Sequence, residues 1–171
     1  MDSIKRLIRD IPDFPKPGII FKDITPILGD PAAMARITGA FESALKPLKP
    51  TRIVGIESRG FIFGATLAAA MELPFTPVRK PGKLPYDTIS VSYTLEYGEG
   101  MLEMHTDGVG RGERVVIVDD LLATGGTAAA ACELVEKVGA DVVAIAFVIE
   151  LGFLEGRSKL GKQNVISLVE F

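Results

Sequence analysis

Asp119 and Asp120 stand side by side at the end of the apolar run Val115 to Val118, and just beyond them lies Ala123-Thr124-Gly125-Gly126-Thr127. Gly125 and Gly126 let a backbone approach a ligand closely, and Thr124 and Thr127 add hydroxyl donors, so this segment can wrap a phosphate. The helix expected to follow at once points its free N-terminal amides at the same anion. The two acids then fall beside whatever carries that phosphate. Carboxylates accept hydrogen bonds from vicinal hydroxyls or hold a hydrated magnesium ion, which makes a ribose 5-phosphate the natural occupant. The common nucleotide loops do not fit: there is no G-x-x-x-x-G-K-[ST], and Gly108-Val109-Gly110-Arg111-Gly112 precedes a strand instead of following one.

A second group of candidates is cationic. Arg79, Lys80 and Lys83 place three positive charges in five residues around Pro81 and Gly82, a local anion trap on a chain of net charge −3. Arg59, in Glu57-Ser58-Arg59-Gly60, falls between a strand ending at Ile56 and a helix, where an anion is readily met. Glu96 shares the polar face of an alternating segment with Ser92 and Thr94, which suits a proton acceptor. The single histidine and single cysteine leave no metal-ligand set and little scope for a catalytic dyad. His105 is expected to be solvated and Cys132 to be packed in a helix.

Such groups need a rigid frame. At 171 residues with 47% hydrophobic side chains, the chain predicts one globular domain, residues 1–171, with its own core. Ile4, Leu7, Ile8 and Ile11 predict a short amphipathic helix stopped by Pro12. The proline-rich stretch 12–31 predicts an ordered loop. Asp30-Pro31 caps a helix with Met34, Ile37, Phe41 and Leu45 on one face. Strand and helix then alternate: a strand at 52–56, a helix at 61–71 and a strand at 75–79. A hairpin follows over 88–106, turning at Gly98-Glu99-Gly100. After it come a strand at 115–118, a helix with Ala131, Leu134, Val135 and Val138 on one face, and strands at 142–149 and 165–169. That rhythm predicts an α/β fold with a central, mostly parallel sheet flanked by helices, a β-hairpin, and a small hood from about 12–30 and 150–171. The charged N-terminus and the lack of a long apolar run predict a cytoplasmic protein without a membrane partner, and the acidic balance argues against nucleic acid.

The run Val115 to Thr127, together with Phe14-Pro15-Lys16-Pro17-Gly18-Ile19-Ile20-Phe21-Lys22-Asp23, Glu57-Ser58-Arg59-Gly60-Phe61, Arg79-Lys80-Pro81-Gly82-Lys83 and Leu95-Glu96-Tyr97, resembles the type I phosphoribosyltransferases, and most closely their adenine-using branch. The resemblance spans nearly the whole chain. It implies transfer of a phosphoribosyl group from 5-phosphoribosyl 1-pyrophosphate to adenine, giving AMP and pyrophosphate, with Mg2+ carried by the substrate and reached through water by Asp119 and Asp120. It also implies a homodimer acting on small molecules. By the same resemblance Asp119, Asp120 and residues 123–127 hold the phosphoribosyl group. Glu57, Ser58, Arg59, Arg79, Lys80 and Lys83 serve pyrophosphate, the last three in a mobile hood. Ile20, Phe21 and Lys22 meet adenine, with Phe21 and Leu121 on its two ring faces, while Glu96 and Arg59 are catalytic. Ala123 replaces the aspartate usual in 6-oxopurine transferases, which favours adenine over another nucleobase. A phosphoribosyl-pyrophosphate-sensing regulator is the other alternative; the stretch before the first sheet strand leaves little room for its usual DNA-binding domain.

Overall fold

Continuous β-branched runs build the centre of the molecule. The computed structural model describes residues 1–95 and 98–171. In chain order the elements are α1 (Asp2–Lys5), β1 (Arg9–Pro12), β2 (Ile20–Asp23), α2 (Thr25–Leu28), α3 (Pro31–Leu45), β3 (Arg52–Ile56), α4 (Gly60–Met71), β4 (Phe75–Val78), β5 (Thr88–Leu95), β6 (Gly98–His105), β7 (Arg114–Leu122), α5 (Gly126–Lys137), β8 (Asp141–Glu150) and β9 (Val165–Glu170). Five strands form one parallel sheet in the order β4-β3-β7-β8-β9. Successive side chains point to opposite faces, so the two faces feed two cores. Ile56, Val115, Ile117 and Phe147 pack with α5 and the β5–β6 hairpin, while Ile53, Val116, Val118 and Ala146 pack with α3 and α4. Burial on both sides explains why these strands are apolar without alternation.

The connections run outward from the middle of the sheet. From β3 the chain crosses through α4 to β4 on one side, and from β7 it crosses through α5 to β8 on the other. The neighbouring ends of β3 and β7 therefore flank a topological switch point, where loops diverge and leave a crevice.

Several elements form as the sequence predicts. Asp30 caps α3, accepting from the amides of Ala32 and Ala33 at 2.9 and 3.1 Å, and Ile37, Phe41 and Leu45 are buried along its face. Others differ. The helix expected over residues 4–11 is one turn only, because Arg9–Pro12 pairs antiparallel with Ile20–Asp23 and the sheet ladder displaces the helix. The expected loop at 12–31 consequently contains β2 and α2. The expected turn at Gly98–Gly100 lies inside β6. Gly100 is opposite Tyr93, and a Cβ there would come within 2.5 Å of the tyrosine ring, so this glycine makes space instead of bending the chain. β7 runs on through Asp119 and Asp120 to Leu122. Of the two hood segments, 20–23 belongs to the separate β1–β2 ribbon, whereas 165–170 is the edge strand of the main sheet. Among the described residues no helix is long and apolar enough to cross a membrane.

Candidate active site

A cleft of about 830 Å3 opens at the ends of β3 and β7. Glu57, Ser58 and Arg59 line it from the β3 exit and Asp119, Asp120 and Leu121 from β7, with Lys80 and Pro81 at the rim and Ser92 and Tyr93 from the hairpin. The two exits come close because residue 60 has no side chain. A Cβ on Gly60 would lie 2.7 Å from the Val118 carbonyl oxygen and 2.8 Å from Asp119 Oδ1.

Beside the cleft lies a recess of about 80 Å3, lined by Leu122 to Ala128 together with Asp119, Leu121 and Phe147. Gly125 takes a left-handed φ of +80° that lets the chain turn from β7 into α5, and no side chain caps the first amides of that helix. Those amides and the Thr124 and Thr127 hydroxyls surround a space the size of a phosphate group. The recess has a back wall that sequence patterning does not reveal. The 3-10 segment Gly156–Leu160 presses on it so tightly that a Cβ on Gly156 would collide with the Ala123 carbonyl, and one on Gly125 with the Gly156 carbonyl. Arg157 fixes this wall by donating from Nε and Nη2 to the two carboxylate oxygens of buried Glu150 at 2.6 and 2.7 Å. Tyr93, from the hairpin, places its hydroxyl 3.5 Å from that of Thr127.

The acid pair is costly as it stands. Asp119 Oδ1 accepts the Asp120 amide at 2.9 Å. Arg59 Nε lies 2.9 Å from Asp120 Oδ2, close enough to pair charges, yet no donor is aligned on that buried oxygen. Burial, and next the neighbouring Asp120 charge, push Asp119 well above the usual carboxylate range. Burial also raises Asp120, against the pull of Arg59. Two adjacent carboxylates, one with a buried oxygen that no donor is aligned on, beside a phosphate-sized recess suit a vicinal diol.

The cation loop is arranged differently. Glu57 Oε1 accepts Arg79 Nη2 and Lys83 Nζ, both at 2.9 Å, and Oε2 accepts the Lys80 amide at 3.3 Å. Arg79 above all, followed by Lys83 and the Lys80 amide, holds the Glu57 carboxyl down at about 2 despite its burial. Of the three cations singled out in the sequence, two are thus turned onto a carboxylate, and Lys80 lines the cleft. Glu103, overlooked at the sequence level, accepts the Gly82 amide at 3.0 Å through Oε2. His105, expected to be solvated, accepts the Tyr86 amide at 3.3 Å. Cys132 is buried as expected, its thiol pushed up to about 12 chiefly by that burial.

Phe21 meets the site through Arg59, whose guanidinium carbon lies 4.9 Å from the ring centre, while Phe14 packs edge-on at 5.2 Å. Ile20 is exposed. The Lys22 side chain reaches Asp10 Oδ1 at 2.7 Å and lies over the Phe171 ring, occupied away from Phe21. Strand alternation explains the split between these neighbours. Leu121 lines both the cleft and the recess. Glu96 lies outside the described residues. Asp119 and Asp120 are adjacent carboxylates of the kind that could hold a hydrated divalent ion, and the described residues contain no group of three or more metal-ligating side chains.

Comparison with known proteins matches residues 25–167 to the phosphoribosyl transferase domain family. The adenine phosphoribosyltransferase of Nitrosococcus oceani is 56% identical over 171 residues, covering all of both chains. Among solved structures, adenine phosphoribosyltransferase from Thermoanaerobacter pseudethanolicus superposes with a TM-score of 0.97 at 54% identity over 99% of each chain. The Saccharomyces cerevisiae enzyme, complexed with an imino-altritol bisphosphate and adenine, gives 0.92 at 44% identity, covering 98% of this chain and 97% of its own.

Proposed function

The chain belongs to the phosphoribosyltransferase family, and on that premise we propose that it transfers the 5-phosphoribosyl group of 5-phosphoribosyl 1-pyrophosphate to adenine, giving AMP and pyrophosphate in purine salvage. Among features of the site, the one that carries this most directly is the buried Asp120 Oδ2, unmet by any aligned donor, next to an amide-lined recess of phosphate size. The recess takes the 5-phosphate, and the two aspartates accept from the ribose hydroxyls.

Breaking the bond to pyrophosphate develops positive charge on the ribose ring and negative charge on the leaving group, so catalysis consists chiefly of orientation and charge stabilisation. Ser58, Arg59 and Lys80 lie where the leaving group would emerge from the cleft, with Arg79 and Lys83 behind them. Asp119 and Asp120 are the residues that would hold Mg2+, which when bound would supply further charge neutralisation on the diphosphate. As the ribose engages Asp120, Arg59 is released from that carboxylate toward the departing anion. Phe21 and Leu121 offer apolar faces to the base, and main-chain groups around Ile20 pair with its edge. Glu96 takes the proton that adenine loses, a role carried from the family resemblance. A reducing cytoplasm, supported by one buried cysteine, and a homodimer complete the proposal.

The decisive experiment incubates the protein with Mg2+, phosphoribosyl pyrophosphate and one purine at a time, and follows pyrophosphate release. Release with adenine and not with hypoxanthine is expected; release with neither would refute an adenine transferase.

A further inference from the structure

Glu57 is an odd residue to find on a wall that receives pyrophosphate. A carboxylate and an ionised diphosphate both only accept hydrogen bonds, so neither can bind the other directly. Its oxygens are instead taken by the chain itself: Arg79 and Lys83 at one, the Lys80 amide at the other. The same loop is fastened a second time, since Arg79 Nη1 donates to the Lys83 carbonyl at 2.8 Å and Glu103 accepts the Gly82 amide. The backbone of Arg79 also exchanges two hydrogen bonds with Glu103, at 2.9 and 2.7 Å. Glu57 is held in turn by the sheet, its amide donating to the Val78 carbonyl at 2.9 Å. What results is a loop whose Lys80 side chain faces the cleft and makes no ion pair among the described residues.

We propose that Glu57 is a positioning residue for the 79–83 loop and not a ligand of pyrophosphate: it draws Arg79, Lys83 and the Lys80 main chain to one carboxylate so that Lys80 is presented to the leaving group. This rests on the phosphoribosyl-transfer assignment and refines it. The carboxylate's charge is also absorbed by its partners, so it opposes the incoming anion little, and a pKa near 2 keeps it ionised at any working pH.

The test uses the full chain as wild type, Glu57→Ala and Glu57→Gln. Calorimetry measures binding of inorganic pyrophosphate and of phosphoribosyl pyrophosphate, each with Mg2+ and no purine, and steady-state kinetics give KM for both substrates. Glu57→Ala should weaken both anions by about tenfold, because the loop loses its anchor. The KM for adenine should stay within about twofold. Glu57→Gln, which keeps the shape and one acceptor oxygen for Arg79, should recover part of the loss and guards against a folding defect in the alanine variant. Unchanged or tighter pyrophosphate binding in Glu57→Ala would overturn the proposal, as would equal rises in both KM values alongside a lower thermal midpoint, the mark of a merely structural residue. A wild-type protein that binds both anions yet fails to turn over adenine would refute the functional assignment alone; one that binds neither would refute both.

Discussion

The exits of β3 and β7 are neighbours in the sheet, separated by little more than the absent side chain of Gly60, yet their carboxylates live in opposite conditions. At β3, Glu57 is saturated by two cations and an amide and its proton affinity is suppressed. At β7, buried Asp120 and half-buried Asp119 lie side by side with Arg59 as the flanking guanidinium, and their proton affinity is enhanced. Saturation makes Glu57 a scaffold, since both oxygens of its carboxylate are already engaged by the chain. Deficiency at β7 suits the proposed binding site, because a diol or a hydrated cation would relieve a cost already present in the protein itself. Arg59 spans the two regions, starting at the β3 exit and ending on Asp120 and Phe21.

The contrast can be broken most directly at β7. Asp119→Asn should lower kcat/KM for phosphoribosyl pyrophosphate by about 100-fold, the scale for losing a charged contact to a reacting group. It should also raise the thermal midpoint of the ligand-free protein at neutral pH. A folded pKa above the unfolded one means the native state favours the protonated acid, so its stabilisation is present at low pH and lost as pH rises through the folded value. Removing that charge therefore relieves the empty protein while disabling it. A drop in both activity and melting temperature would show that the acids are ordinary structural groups.

Next in size is the wall behind the recess. Gly156→Ala introduces a Cβ into the Ala123 carbonyl, and displacing the loop should raise KM for phosphoribosyl pyrophosphate by about 30-fold and cost about 1–3 kcal/mol by urea unfolding. Binding kept intact in that variant would mean the 123–127 loop is not held from behind. Phe21→Ala should raise KM for adenine by about tenfold, one aromatic face being lost, and raise that for phosphoribosyl pyrophosphate less. Equal effects on both substrates would show Phe21 acting mainly through Arg59.

The mildest test is pH. Affinity for phosphoribosyl pyrophosphate should fall as the solution is acidified, with an inflection above the ordinary carboxylate range, because Asp119 and Asp120 must be ionised to accept from the diol. Glu57 behaves in reverse as a stability group. Its folded pKa is lowered from 4.5 to about 2, so its contribution holds above 4.5 and disappears as pH falls toward 2. Melting curves of wild type and Glu57→Gln, recorded across that window, should differ at pH 6 and converge at its lower end.

Much of this architecture is legible before any coordinates. Val115 to Val118 and Val142 to Ile149 are continuous apolar runs because both faces of the sheet are covered, and the Gly-Thr loop between β7 and α5 carries local chemistry that spacing exposes. Ile4, Leu7, Ile8 and Ile11 mislead for a physical reason: their helical spacing is genuine, but the partner that draws Arg9–Pro12 into a ribbon begins at Ile20, beyond any local window. The same limit hides the partners of Glu57, which are Arg79 and Lys83, and the part played by Gly156, whose neighbour in space is Ala123. Side chains or glycines selected by contacts far along the chain leave no periodicity to detect. Lys22 falls between these cases, since alternation alone separates its side from that of Phe21.

Gly156 also bears on the order in which the molecule is made. A nascent chain that has emerged only as far as β8 already contains β7, both aspartates and the whole of α5, but the floor against which the Gly-Thr crook rests is still inside the ribosome. On the proposed assignment, competence to retain a sugar phosphate should arrive late in synthesis, after residues 156–160 emerge and β9 zips onto the sheet edge, and stalled chains ending before residue 156 should let nucleotide pass through unretained.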